Sequence, residues 1–177
     1  MVGRRPWMQV AGAPVASTLA LATAVAFSGP LVTIAAQTAQ SGMSVAATVS
    51  RSCQIDGASL AFGNYDPVAR HATAPLDAET ILVITCTKGT PAVVALNAGG
   101  HAQGTRRFMA NGGNLLNYDL YQDSGRHQHW GDTSGDTLTL APSTGDPRSI
   151  YVYGRVPANQ DVPVGGYADS VVATVYF

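Results

Sequence analysis

Positive charge is scarce in this sequence, which has a single lysine, Lys88, among its 177 residues. Ten residues are basic, and two of them, Arg4 and Arg5, lie beside the N-terminus. The rest of the chain therefore sets eight basic residues against 11 acidic ones. Because a nucleic-acid surface needs clustered positive charge, we exclude nucleic acid as a partner.

The sequence also lacks a recognisable catalytic constellation. No serine lies in a Gly-x-Ser-x-Gly turn, and His71 and His101 are isolated in separate loops. His127 and His129 are two residues apart, so on a strand they would share a face and could approach a metal ion. Their segment is polar and flanked by glycine, which favours a solvated loop. We predict that the protein is not an enzyme and uses no cofactor or metal.

Long hydrophobic runs are absent too. The longest, residues 15–27, has about 13 residues, whereas a transmembrane helix needs ~20. Basic residues precede this run and small ones follow it, so residues 1–36 are predicted to be a secretory signal peptide cleaved after Ala36. Cleavage after Ser28 would leave a longer N-terminal arm. The mature chain, residues 37–177, suits one domain and is not expected to insert into a membrane.

Only two cysteines are present, Cys53 and Cys86, and both lie in the exported part. An oxidising compartment and an even count predict one disulfide between them. A two-thiolate metal site is the alternative, but its other ligands are missing. We expect Cys53 to follow one strand and Cys86 to end another, so that the bridge staples the start of the fold to its second major strand.

Helical periodicity is missing from the mature chain, which instead alternates short apolar runs with clusters of Gly, Asn, Asp and Pro. Several short strands separated by such turns predict an all-β sandwich. The predicted strands are Met43–Ser50, Glu79–Thr87, Ala92–Ala98, Asn117–Gln122, Asp136–Ala141, Ser149–Val156 and Ala168–Phe177. The segment "PSTGDPR" is predicted to join Asp136–Ala141 to Ser149–Val156 as a hairpin.

Apolar alternation within these strands predicts the core. Its expected members are Ile81, Val83, Val93, Ala95, Leu138, Leu140, Ile150 and Val152.

Three polar or aromatic groups lie outside that core prediction. Arg106–Arg107 is interpreted as a solvated rim, although a binding patch is the alternative. Tyr118, Tyr121 and Trp130 are expected to close one end of the sandwich, although such rings also stack on sugars. Tyr151 and Tyr153 are predicted to pack on the outer face.

The last predicted strand ends the sequence with two apolar faces. One face holds four residues at period two: Val171, Ala173, Val175 and Phe177. Such a strand suits the inside of a sheet, yet no further strand of the sequence follows to cover its second edge. Open apolar edges promote aggregation and are normally covered.

Several segments together resemble the spore coat protein U domain, which also occurs in pilin subunits of archaic, Csu-type chaperone–usher pili. The first, "LAFGNYDP", follows Cys53, and "ITCTKGTPAVVALNAGG" contains Cys86. The others are "TRRFM", "LNYDLYQD", "WGD" and "VYGRVPANQDVPVGGYADSVVATVYF". The resemblance covers about residues 43–177.

The resemblance implies an immunoglobulin-like sandwich that lacks its last strand. It implies that a periplasmic pilus chaperone lends a strand, and that the outer-membrane usher exchanges this strand for the N-terminal segment of a sister subunit. The open edge would then be the edge of the acceptor groove, formed by the four residues of the last strand. The expected donor-strand residues alternate near the mature N-terminus and are Met43, Val45, Ala47 and Val49.

The function implied is a structural subunit of a surface fibre, exported through the inner membrane to the periplasm and cell surface, with roles in adhesion and biofilm formation. Two alternatives stay open at this point. One is a secreted coat protein built from the same domain, and the other is a self-contained extracellular binding module. A hydrolase is a more distant alternative.

Overall fold

The computed structural model describes residues 34–177, and the chain divides into two units, residues 1–45 and 46–177. Within the first unit, residues 34–45 form no regular secondary structure, and all of them are exposed. The predicted signal peptide lies almost entirely outside the described residues. No helix of residues 34–177 is long and apolar enough to cross a membrane.

The second unit contains eight β-strands and one short 3-10 helix at Arg70–Ala72. The strands are β1 (Cys53–Asp56), β2 (Leu76–Cys86), β3 (Ala92–Leu96), β4 (Arg107–Asn111), β5 (Asn114–Tyr121), β6 (Leu138–Leu140), β7 (Arg148–Val156) and β8 (Ala173–Tyr176). A five-stranded sheet has the order β1-β2-β7-β5-β4, and a three-stranded sheet has the order β6-β3-β8. Every pair of neighbouring strands is antiparallel. The predicted all-β sandwich is confirmed.

Apolar side chains from both sheets form one core. Val94, Trp130 and Val156 are completely buried in it. The other core members are Leu82, Ile84, Cys86, Ala92, Leu96, Leu116, Tyr118, Leu120, Ile150 and Val152. At ~25 cal/mol per Å² of apolar surface, this burial is the main favourable contribution to folding.

The predicted core was one residue out of phase in β2. Leu82 and Ile84 are buried, whereas Ile81 is 41% exposed and Val83 is only half-buried. Both faces of β2 are apolar here, so alternation alone leaves the phase open. The acidic Asp77, which is exposed, shares the outward face of Ile81 and Val83 and indicates the correct phase.

The rest of the core prediction has a mixed outcome. Val94 of β3 is fully buried and Val93 is not, so Val93 was wrong, although Ala95 is buried as predicted. Ile150 and Val152 lie in the core. Leu138 and Leu140 of β6 pack against it while half-buried, as do several other apolar side chains.

Three strand predictions need correction. Residues Met43–Ser50 form no strand and are exposed, since no neighbouring strand of this chain pairs with them. Cys53–Asp56 and Arg107–Asn111 are strands that the sequence analysis missed. The last strand begins at Ala173 rather than Ala168, because residues 169–172 bond to a loop instead of a regular ladder.

The predicted hairpin between β6 and β7 was wrong. β6 pairs with β3, whereas β7 pairs with β2 and β5 in the other sheet. The connection between them is tied to the β2–β3 turn: the Ser143 hydroxyl donates to the Cys86 carbonyl at 2.9 Å, and the Gly89 N–H donates to the Ser143 carbonyl at 2.8 Å. These bonds direct the chain from one sheet to the other.

Arg107 is the most deeply buried charged side chain described, with 1% exposed, so its interpretation as part of a solvated rim was wrong. Its guanidinium donates to the carbonyls of Leu96, Asn97 and Trp130 at 2.8–3.1 Å. It also forms an ion pair with Asp119 at 3.0 Å. The planar, five-donor guanidinium thus joins β4 to the ends of other elements.

The aromatic residues divide between the core and the outer face. Tyr118 and Trp130 are buried in the core rather than closing one end of the sandwich, and the Trp130 indole N–H donates to the Val94 carbonyl at 3.0 Å. Tyr151 is 47% exposed and its ring stacks on that of Tyr153, so the outer-face prediction for this pair is confirmed.

The disulfide Cys53–Cys86 is present and joins two cysteines that lie directly opposite each other on β1 and β2. Cys53 is the first residue of β1 rather than the residue after a strand. The bridge therefore fixes β1, an edge strand, to the rest of the larger sheet.

Reducing this disulfide is expected to lower the free energy of unfolding by about 3–4 kcal/mol, because 33 residues separate the two cysteines and the open loop gains conformational entropy. Thermal unfolding with and without reductant should show a drop in Tm on the order of 10 °C. A Cys53→Ser, Cys86→Ser double variant controls for other effects of the reductant, which should leave its Tm unchanged. Equal Tm values for the oxidised and reduced chain would contradict the prediction.

Candidate functional site: an open groove between the two sheets

β8 has one paired edge and one open edge. It pairs with β3 on one side, and no strand of residues 34–177 pairs with the other. In the larger sheet, β1 is likewise an edge strand. The open edges of the two sheets therefore leave the sandwich incomplete along this side.

The backbone of β8 is oriented for a further strand. Val172 bonds to Asn97 on the β3 side through both its carbonyl and its N–H. Because successive residues of a strand direct their peptide groups to opposite edges, Val171, Ala173 and Val175 direct theirs to the open edge. The side chains of these three residues point inward and are half-buried.

One cavity lies beside this edge, with a volume of about 430 Å³. One of its walls is formed by residues 55–62 and the other by residues 169–173. Core side chains form its floor: Leu82, Leu96, Leu120 and Val152. The cavity thus opens directly onto the hydrophobic core.

A second cavity of about 600 Å³ continues the first. Its walls are residues 60–67 and residues 162–167. Leu60, Phe62 and Met109 line both cavities. We call the two together, bounded by residues 55–67 and 162–173, the open groove.

The predicted site residues fall into two groups. Val171 and Ala173 line the open groove. Val175 packs against the core without lining either cavity, and Phe177 follows β8 and is 53% exposed. Every residue of the predicted donor segment is exposed. The exposed fractions of its larger side chains are 86% for Met43, 82% for Val45 and 82% for Val49.

The opposite wall of the groove was missed by the sequence analysis. Leu60 and Phe62 belong to "LAFGNYDP", which contributed to the family resemblance but was not predicted to line a groove. Gly154 of β7 makes room for both, because a β-carbon there would lie 2.5 Å from Leu60 and 2.8 Å from Phe62. A glycine inside an otherwise apolar strand is the sequence signal for such a close approach.

The groove wall also contains a buried carboxylate, Asp169, with 2% of its side chain exposed. It accepts hydrogen bonds from the Tyr118 hydroxyl at 2.7 Å and from the backbone N–H groups of Gly100 and His101 at 2.9 and 3.2 Å. Burial raises the pKa of Asp169, but bonds from Tyr118, the Ser170 backbone and His101 outweigh it and hold the pKa below its ordinary value. Asp169 is therefore a carboxylate at neutral pH.

Tyr118 complements this carboxylate. Burial, followed by the hydrogen bond to Asp169, raises the pKa of the Tyr118 hydroxyl far above its ordinary value. The hydroxyl keeps its proton over the physiological range and acts as the donor to Asp169.

The two histidines considered as metal ligands do not lie in one site. The side chain of His127 is 84% exposed and approaches Asp123, while His129 bonds to Asp119 at 2.7 Å. Within residues 34–177, no group of three or more His, Cys, Asp or Glu side chains is arranged to hold a metal ion.

Two comparisons of sequence agree with this architecture. A family model described as the Spore Coat Protein U domain matches residues 39–174. A curated protein, "Protein U" of Myxococcus xanthus, is 37% identical in an alignment 177 positions long, which covers 92% of this chain and 96% of that protein.

A solved structure has the same fold. It is the crystal structure of the CsuC-CsuE chaperone-tip adhesion subunit pre-assembly complex from archaic chaperone-usher Csu pili of Acinetobacter baumannii. One of its chains is 25% identical to this one, with a TM-score of 0.54 over 73% of this chain, and the match spans 40% of that chain's length. Since the family model covers most of its length, the chain belongs to the Spore Coat Protein U domain family.

Proposed function

We propose that the protein is a structural subunit of a surface fibre assembled by donor-strand exchange. The observation that carries this proposal is the open groove, where β8 directs unpaired peptide groups beside a cavity that reaches the core. An extended segment of another chain would add a strand to β8 and place alternate side chains in the groove. Main-chain hydrogen bonds would hold the strand, and side-chain burial would stabilise it.

The proposed donor is the segment Met43–Val49 of a sister subunit. Its composition is compatible with a β-strand, and apolar residues recur in it at every second position. Its larger side chains are exposed in this chain. Each one buried in a neighbour's groove would contribute ~1.5–3 kcal/mol.

The proposed partners follow from strand addition at the open groove. A periplasmic chaperone would first cover the open groove with a strand of its own, and an outer-membrane usher would replace that strand with the arm of the next subunit. The solved relative, a chaperone–subunit complex from a chaperone-usher pilus, supports a chaperone partner. This route requires export, which we assign to a signal peptide at residues 1–36, and it places the protein in the periplasm and then on the cell surface. The roles would be adhesion and biofilm formation rather than catalysis.

A secreted coat-type structural protein is the second candidate. It is favoured by the 37% identity to "Protein U", which extends over 96% of that protein, and by the family's description as a spore coat domain. The open groove would serve the same strand exchange in either assembly. Electron microscopy of cells with and without the gene would distinguish thin fibres from a continuous coat.

Deletion of Gln37–Val49 is expected to abolish donation while leaving the acceptor groove unchanged. The variant should co-purify with the chaperone, accumulate in the periplasm and end fibres instead of extending them. Gel electrophoresis of unheated samples should show the ladder of polymers replaced by a single chaperone-bound species.

Two variants with substitutions on opposite faces of the segment provide a matched comparison for that deletion. Changing Met43, Val45 and Val49 to Ser should reproduce the loss of polymers, because these side chains share the face that would enter the groove. Changing Ala46 and Thr48 to Ser, on the opposite face, should leave the ladder intact. Normal polymerisation by the deletion variant would refute donation by this arm.

A further inference from the structure

The segment immediately before β8 is held in an unusual way. Residues 169–172 lie outside the regular strand, and the first three of them line the open groove. They bond on one side to residues 97–101: Asn97 pairs with Val172 through backbone and side chain, and the Gly100 N–H donates to the Ser170 carbonyl. The other side of the segment faces the groove and has no strand beside it in the described chain.

The loop 97–101 is shaped around the carboxylate of Asp169. Gly99 has a φ of +88°, and a β-carbon there would occupy the position of the Asp169 carboxylate. The next two N–H groups, of Gly100 and His101, point at one carboxylate oxygen, and His101 Nδ1 lies 2.9 Å from the same oxygen. Successive N–H groups converging in this way form an anion-binding concavity.

The second carboxylate oxygen of Asp169 begins a chain of contacts that crosses the groove through Tyr118 to Phe62 in the opposite wall. It accepts the Tyr118 hydroxyl from β5, at 2.7 Å. The Tyr118 ring in turn meets the edge of Phe62, with the ring centroids 6.0 Å apart. Phe62, Tyr118 and Asp169 all line the same cavity, so this chain of contacts crosses the groove.

We propose that Asp169 is a positioning residue that holds residues 169–172 in place while the groove is empty, and so keeps the groove ready to capture a strand. Because the open edge of the segment has no strand beside it, the bonds to the loop 97–101 and to Tyr118 hold the segment, and the Asp169 carboxylate supplies several of them. Its role in strand capture rests on the proposed function, whereas its role in ordering the segment does not.

The test compares Asp169→Ala with Asp123→Ala in the full chain. Asp123 is a matched control, because its carboxylate also accepts two backbone N–H groups, those of His127 and Gln128, and also contacts a histidine. It does not line the open groove. Two quantities are measured: hydrogen exchange of the β8 amides, and the affinity for a synthetic peptide of residues 41–52.

We expect Asp169→Ala to speed exchange of the β8 amides about ten-fold and to weaken peptide binding about ten-fold, which is the loss of roughly one charged hydrogen bond. Asp123→Ala should change neither quantity, even if it lowers Tm as much as Asp169→Ala does. Asp169→Asn keeps the shape and most of the hydrogen bonds, and should restore most of the affinity. If Asp169→Ala does not fold, Tyr118→Phe takes its place in the test. This variant removes only the hydroxyl and is expected to show a milder form of the same defect.

Unchanged β8 exchange in both Asp169→Ala and Tyr118→Phe would overturn the proposal, and so would a matching change in Asp123→Ala. Failure of the unaltered chain to bind the peptide would instead refute donation by residues 41–52. The exchange measurement would then still decide the role of Asp169.

Discussion

A chain in which a second copy of residues 41–52 follows Phe177 through a short turn is expected to unfold at a clearly higher temperature than the natural chain. A turn of about four residues would let the added segment return antiparallel along the open edge of β8. Its three larger apolar side chains would then enter the open groove, each contributing ~1.5–3 kcal/mol. The peptide groups of Val171, Ala173 and Val175 would gain partners.

Ordering the added segment cancels part of the gain that side-chain burial and the new ladder hydrogen bonds provide together. We expect a net stabilisation of about 3 kcal/mol, which corresponds to a Tm increase on the order of 10 °C. The same chain should no longer polymerise or require a chaperone, because its groove is filled by its own strand. Calorimetry and size-exclusion chromatography measure the two effects.

The control for this experiment carries the same extension with Ser at the four positions that copy Met43, Val45, Ala47 and Val49. It matches the extension in length and backbone hydrogen bonding but lacks the apolar face. An equal rise in Tm for this control would show that the groove does not select side chains. No rise for either chain would mean that the groove does not accept this segment, and a self-contained binding module would become the better reading.

The sequence predicted the all-β fold class and an apolar last strand because both follow from local patterns. Alternation in residues 168–177 identified an apolar last strand and its inward residues Val171, Ala173 and Val175. The phase of β2 was mistaken because Ile81, Leu82, Val83 and Ile84 are all apolar, and only the acidic residues upstream distinguish the two faces.

The walls of the open groove were harder to predict because they depend on contacts between distant segments. Asp169 reaches Gly100 and Tyr118 across 69 and 51 positions of sequence. No local pattern distinguishes it from an aspartate in a solvated turn. Phe62 likewise lies in a segment with turn composition, and only its approach to Gly154 brings it into the groove.

The burial of Arg107 also depends on contacts between distant segments and could not be predicted from local sequence. Its substitution is expected to cause a large loss of stability. Replacing Arg107 with Met should lower the free energy of unfolding by about 3–5 kcal/mol, because each carbonyl left without its donor in or near the core costs ~1–3 kcal/mol. The carbonyls of Leu96, Asn97 and Trp130 would lose their donor, and the carboxylate of Asp119 would lose its guanidinium. Denaturant unfolding would measure the loss.

The adjacent Arg106 is the matched control for this substitution. It is exposed, and its side chain makes a cation–π contact, with the guanidinium 5.5 Å from the centre of the Phe108 ring. Arg106→Met should therefore change stability by no more than about 0.5–1 kcal/mol. Arg107→Lys should recover little, because an ammonium group cannot reproduce the fork that contacts three carbonyls and a carboxylate at once. Equal stability losses at the two arginines would show that the buried network contributes nothing specific, and that the interaction joining β4 to the ends of β3 and β5 lies elsewhere.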